Sequence, residues 1–197
     1  MPEEKSTSNI KRSGSGTIAV PTPLDVNTVT GQFKAAIKRM DDVKQQKYLK
    51  WLEVQTKYFS WEETFDPTYL IKYNRGDVIF TNFGYNVGSE FGGPHYAAVL
   101  DNNDKTSQTM MVVPLSSLDE GESEKDLHEM DAYIGVIPDI NDKKVFARVA
   151  QMRALSKIRI YSPRNVKHAK VELTSDQLDI IDEKIRKHFT AIPDEKK

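Results

Sequence analysis

GSEFGGPHYAAVL, residues 88–100, decides how the chain is read. It gathers three glycines, a proline and one of only four histidines, then becomes a strand of small apolar side chains. Glycine loses more backbone freedom on folding than any other residue, so a loop this rich in it has a specific job. HYAAVLD, residues 95–101, predicts a buried strand leaving the loop, with His95 at its start.

Reading outward, DVIFTNFGY (77–85) alternates Val78, Phe80 and Asn82 against Ile79, Thr81 and Phe83, which predicts a strand entering the loop. DNNDKTSQ (101–108) reads as a hairpin-type turn and TMMVVPL (109–115) as the next strand, with Ser116 and Ser117 at its end. Further strands are expected over 133–137, 146–152 and 157–161. Several short strands at close spacing predict a small β-barrel. At the C-terminus, LTSDQLDIIDEKIRKHF opens with a capping box, Thr174 and Gln177. Leu178, Ile181, Ile185 and Phe189 share one helical face there, which predicts a helix packed on the barrel.

Upstream, residues 29–59 hold no proline, and Phe33, Ile37, Met40, Val43 and Leu52 fall near helical spacing, interrupted by Lys44 and Lys47. One long helix or two shorter ones are expected, ending before Asp66-Pro67 in a connector over 61–77. Residues 1–27, rich in Ser, Gly, Thr, Pro and charge, read as a disordered tail. The organisation expected is therefore a tail over 1–27, a helical extension over 28–66 and an α+β barrel domain over 67–197.

With 197 residues, 38% of them hydrophobic and 29% charged, the chain can bury a real core. It has no cysteine, which excludes disulfides and thiolate metal sites and agrees with a reducing compartment. No apolar run reaches membrane-spanning length, and the N-terminal MPEEKSTSNIKRSGSG has no signal-like apolar core, so no membrane association is expected and the cytoplasm is the expected location.

The formal net charge of −1 conceals a strong segregation. Asp119 to Asp142 holds nine acidic residues and one lysine; Lys143 to Lys170 holds nine Lys or Arg and no acid. The basic segment is either a phosphate-binding surface or a solvated face scattered by strand alternation. The acidic one is either a hard-cation loop or simply solvated. There is no Walker loop, HExxH or dinucleotide fingerprint, and Ser89 is followed by Glu90 and Phe91, not by a nucleophile-elbow pattern. His95, His128, His168 and His188 lack ligand spacing, so no metal and no cofactor is expected.

The succession RGDVIF, GSEFGGPHYAAVL, VVPLSS, ARVAQMRALSKIRI and a C-terminal amphipathic helix resembles the PemK/MazF family of toxin endoribonucleases over about residues 73–190. The resemblance implies an SH3-like barrel, a homodimer, metal-independent cleavage of single-stranded RNA and control by a partner antitoxin. It implies that the loop from Gly84 to Gly93 borders the RNA groove, its glycines letting backbone approach the strand and letting the loop move. Catalysis would fall to His95 and Ser116, and RNA binding to Glu90, Gly92, Gly93, Ser117, Arg153 and Lys157. Two departures stand out. The family usually has Arg followed by Pro where this chain has His95 and Tyr96, and often has Thr where it has Ser116. Serine keeps the hydroxyl, whereas histidine exchanges a fixed phosphate clamp for a group that gives or takes a proton near neutrality.

Metal-free RNA cleavage needs a base for the 2′-hydroxyl proton, donors or cations for the developing phosphorane charge, and an acid for the leaving 5′-oxygen. His95 suits acid or base work, Ser116 can bind a phosphate oxygen, and Arg153 supplies fixed charge; Glu90 is a second candidate base. A catalytically inactive relative that binds RNA or protein, or an interaction protein acting through the 29–59 helix, are the alternatives.

Overall fold

β1 (Asp77–Asn82) and β2 (Pro94–Val99) pair antiparallel, from Val78 opposite Ala98 to Asn82 opposite Pro94, in the computed structural model, which describes residues 25–190. Strand alternation sends neighbouring side chains to opposite faces. Val78 and Ala98 join one core cluster, while Ile79, Ala97 and Val99 join another. Over residues 97–99 both faces of this hairpin are covered, which is why that part of the strand is apolar at every position, while Pro94 and Tyr96 remain exposed.

β3 (Thr109–Ser117) organises the rest. One edge pairs with β2 through Val112, Val113 and Pro114. Along the other edge, residues 109–112 pair with β6 (Arg153–Ser156) and residues 115–117 with β5 (Asn141–Arg148). Between β5 and β6 the chain makes a 3₁₀ turn, Val149–Gln151, that steps it from one segment of β3 to the next. The strand expected over 146–152 therefore ends early, at Arg148. β4 (Asp131–Ile137) pairs with β5, and two short strands, β7 (Ile160–Ser162) and β8 (Val171–Glu172), share the free edge of β1. The expected strand over 157–161 begins instead as a 3₁₀ turn, Lys157–Arg159.

The result is a mixed fold of helices and antiparallel strands, but its sheet is open. The order runs β4-β5-β3-β2-β1-β7, and no pairing among the described residues joins the two ends. The barrel closure expected from strand spacing is absent for a local reason. The outer edge of β4 is taken by a helix, α3 (Ser175–Phe189), whose Gln177 Nε2 donates to the carbonyls of Ile134 and Val136 at 2.9 and 3.1 Å. The capping box forms as expected: Thr174 Oγ1 accepts from Gln177 N–H, and Gln177 Oε1 accepts from Thr174 N–H. Ile181 of α3 is fully buried among Val78, Ala98 and Val113.

The described residues fall into two compact units, divided between Gln45 and Gln46. In the first, α1 (Val26–Ile37) is capped by Asp25, whose carboxylate accepts from Thr28 N–H, and Gln45 Nε2 donates to Ile37 O. Most of the predicted tail, residues 1–24, lies outside the described residues. The helical region is two helices, with α2 spanning Asp42–Glu62. Its predicted stripe is not what it buries. Val43 is exposed, and from Gln46 onward the buried side chains are Trp51 and Tyr58, which cluster with Ile158. Among the described residues no helix is long and apolar enough to cross a membrane.

Candidate active site

The loop between β1 and β2 is closed on itself at its base. Phe83 N–H donates to Gly93 O at 2.8 Å, Gly93 N–H to Gly84 O at 2.6 Å, and Asn82 Oδ1 accepts from Gly84 N–H. Asn86 Nδ2 spans the inside, donating to the carbonyls of Phe83 and Phe91. A Cβ on Gly92 would stand 2.6 Å from Gly84 O, and Gly93 adopts φ +84°. Both glycines answer to the loop's own backbone packing, so approach to a nucleic acid strand is not needed to explain them.

Phe91 is the point where the rest of the site assembles. Its N–H donates to Gln151 Oε1 at 3.0 Å, and its carbonyl accepts from Arg153 Nη2 at 2.6 Å. Its ring meets that of Phe83 edge-on at 5.4 Å and that of His95 at 4.4 Å. The Arg148 guanidinium lies over it, 5.5 Å from the centroid. Arg148, Gln151 and Arg153 reach one loop because β5 and β6 are stepped along a single edge of β3.

His95 and Ser116 enter from β2 and β3. Ser116 is paired with Phe146, and Arg148 lies two residues further along β5 on the same face. The Arg148 guanidinium covers the Phe146 ring at 4.9 Å, and its Nε donates to Ser116 Oγ at 2.9 Å. His95 is half-buried. Burial, and then the charge of Arg148, push its imidazole below the usual range, against a weaker upward pull from a hydrogen bond with the Gly92 backbone. Both of the larger effects favour the neutral imidazole.

Not all of the residues singled out by sequence join this cluster. Arg153 does. Ser117 is exposed and, as the next residue of the strand, faces away from Ser116. Glu90 is exposed near the loop tip, where its N–H donates to Val87 O, and no ion pair involves it among the described residues. Lys157 requires a correction. It is 1% exposed, with Nζ donating to Asp104 O at 2.7 Å, so its charge closes the Asp104–Lys105 turn and is out of reach of a phosphate. Burial lowers its pKa.

Arg148, Arg159, Phe91 and Gln151 are the members that sequence reading did not select. Both arginines stood in the basic segment, but a charge count does not say which of nine cations share a face. Arg159 Nη1 donates to Phe83 O at 3.2 Å and its guanidinium covers the Trp51 ring at 5.4 Å; burial lowers its pKa against an upward pull from Tyr58, with nearby Arg153 adding to the fall. Arg153 in turn lies over the Phe83 ring at 5.3 Å. Among the described residues the ion pairs are Lys57–Glu53, Arg75–Asp182 and Lys170–Asp77. Arg148, Arg153 and Arg159 therefore line the loop without a carboxylate partner. Three uncompensated guanidinium groups around one loop raise the local potential and favour an anion. No three His, Asp or Glu side chains gather as a metal-ligand set among the described residues.

The family model of the PemK-like, MazF-like toxin of type II toxin-antitoxin system matches residues 74–189, from just before β1 to the end of α3. No match is found among curated proteins. Similar solved structures include MazF (Form-I) from Deinococcus radiodurans, 17% identical, covering 59% of this chain and 96% of that one, with a TM-score of 0.40. MazE-MazF (Form-III) from the same organism is 18% identical, with coverages of 59% and 95% and a TM-score of 0.39. An endoribonuclease in complex with its cognate antitoxin from Mycobacterial species is 13% identical, with coverages of 58% and 92% and a TM-score of 0.39.

Proposed function

Since the chain belongs to the PemK-like, MazF-like toxins of type II toxin-antitoxin systems, we propose that it is an endoribonuclease that cuts single-stranded RNA without a divalent metal. The observation that carries this reading is the gathering of His95, Arg148 and Arg153 around Phe91, with Ser116 bonded to Arg148 and Arg159 bonded to the neighbouring Phe83, no carboxylate pairing with any of the three arginines among the described residues. A proton-transfer group, a hydroxyl and fixed cations are what phosphodiester cleavage by an internal nucleophile requires.

The RNA backbone runs along the arginines, with the scissile phosphate beside Ser116. Neutral His95 takes the proton of the 2′-hydroxyl. The 2′-oxygen attacks phosphorus as the P–O5′ bond breaks, and O5′ leaves with a proton from solvent. The products are a 2′,3′-cyclic phosphate and a 5′-hydroxyl. DNA, lacking the 2′-hydroxyl, is not a substrate. A single strand is favoured because in-line attack needs a backbone free of duplex geometry. In this reading a partner antitoxin silences the site, its acidic side chains matching the arginines. The working unit is a homodimer acting in the cytoplasm.

The test is incubation of purified protein with a long RNA in EDTA, followed by mapping of the cut ends. Cleavage that persists and leaves cyclic or 3′-phosphate ends is expected. Activity that vanishes in EDTA and returns with magnesium contradicts the mechanism.

A further inference from the structure

We infer that Trp51 of α2 is a positioning residue for this site: its ring holds the Gly84 backbone and the Arg159 guanidinium, and through them the loop that brings Phe91 to His95. This role presupposes the nuclease activity proposed above and adds to it a helix that precedes the family-matched residues 74–189.

Trp51 sits in neither core of the sheet. One core gathers around Ala98 and Val113, the other around Ile79 and Val99, and neither contains a residue of α2. Trp51 is buried in a third cluster, with Tyr58 and Ile158. What it covers is the point where β1 runs into the loop. A Cβ on Gly84 would stand 3.0 Å from Trp51 Cζ2 and 3.2 Å from Cη2, so the edge of the indole lies against the Gly84 backbone. Gly84 has φ +90°, so one glycine both turns the chain and leaves room for the ring. Three residues before Trp51, the Tyr48 ring meets that of Tyr85 edge-on at 4.7 Å. Residues three apart share a helix face, so two consecutive loop residues rest on one face of α2.

The same indole supports Arg159. The guanidinium centre lies 5.4 Å from the Trp51 ring, and Nη1 donates to the carbonyls of Phe83 and Asn82 at 3.2 and 3.4 Å. No carboxylate pairs with Arg159 among the described residues, so an aromatic face and two carbonyls stand in for a counter-charge. From there the chemistry is a few contacts away. Gly93 N–H donates to Gly84 O at 2.6 Å, the Phe83 ring meets Phe91 at 5.4 Å, and the Phe91 ring meets His95 at 4.4 Å. Displacing Gly84 and Arg159 therefore moves Phe91 against His95 while both sheet cores stay packed. A misplacement of about 1 Å at a reacting centre can cost about 10²-fold in rate.

The experiment is steady-state cleavage of a long single-stranded RNA by full-length Trp51→Leu and Trp51→Phe, at a temperature below both melting transitions. Both variants keep an apolar side chain in the third cluster, but only Phe keeps a ring face for Arg159 and a flat edge for Gly84. Trp51→Leu should lower kcat about 10- to 10²-fold, with KM changed only a few-fold. Trp51→Phe should recover most of that loss. Measuring below both transitions keeps any difference in stability out of the comparison. Equal kcat in the two folded variants overturns the inference and leaves the nuclease reading standing. So does a loss that appears in KM alone. Wild-type protein that cuts no RNA overturns both.

Discussion

His95 shows how a titratable group is set by its neighbours. Desolvation comes first and the Arg148 charge second, and both favour neutral imidazole. Lowering its pKa in the fold has two consequences of definite sign. Cleavage that uses His95 as a base should stay level as pH falls through about 6.5, the ordinary imidazole value, and drop only below it. Stability runs in parallel: the fold prefers the neutral form, so what His95 contributes is present above that value and is lost progressively as pH falls below it. His95→Ala should lower cleavage by about 10²-fold or more, with little change in melting temperature. Rate measurements across pH on both proteins check this, and a variant that cuts at the wild-type rate removes His95 from the chemistry. His95 and Ser116 were legible because each stands at a strand end beside a punctuated loop. Lys157 was misread because a lysine in a basic run looks solvated, while its partners, the carbonyls of Asp104 and Lys105, lie about fifty residues away in sequence. Arg148 was hidden among equals until the pairing of β3 with β5 gave it a face.

Among the elements, the loop from Phe83 to Gly93 has a clasp whose tolerance differs sharply along its length. Gly92→Ala sets a methyl 2.6 Å from a backbone oxygen that cannot move aside. A cost of about 1–3 kcal/mol is expected, with RNA cleavage falling as Phe91 shifts. Gly88 has positive φ, +61°, but open space around it, so Gly88→Ala should cost no more than about 1 kcal/mol. Urea denaturation of the two variants decides; equal stability would mean that the clasp is not rigid. The strands flanking this loop, and α3 with its capping box, were readable from local pattern alone. β6 and β8 were not. At four and two residues they carry no periodicity, and they exist because β3 and β1 offer them free edges. The helix over 42–62 was readable as a helix, but the face it buries was not. Trp51 and Tyr58 are seven residues apart, and Tyr48 and Val54 pack against their cluster at helical spacing, a mostly aromatic stripe that the positions of Val43 and Leu52 do not mark.

At the scale of the whole molecule, a net charge of −1 says nothing of the local field. In the proposed reading Arg148, Arg153 and Arg159 give single-stranded RNA about three phosphate contacts. The logarithm of affinity should then fall against the logarithm of salt with a slope of about −2, at about −0.7 per contact. Binding of a non-cleavable 2′-O-methyl RNA across a salt series measures it. Arg159→Gln should flatten the slope by about 0.7. Lys157→Gln should leave the slope alone and lower stability, since a buried ammonium holds a turn there. A slope near zero for the wild type would mean that the arginines do not meet phosphates.

The amide of Gln177 reaches beyond the helix it helps to start. It occupies two carbonyls near the middle of β4, those of Ile134 and Val136. An open sheet otherwise presents such an edge as a template on which a strand from another chain can grow, the route to uncontrolled self-association. One side chain, already needed to begin α3, blunts that edge. The cost of leaving the sheet unclosed is offset there by a single glutamine.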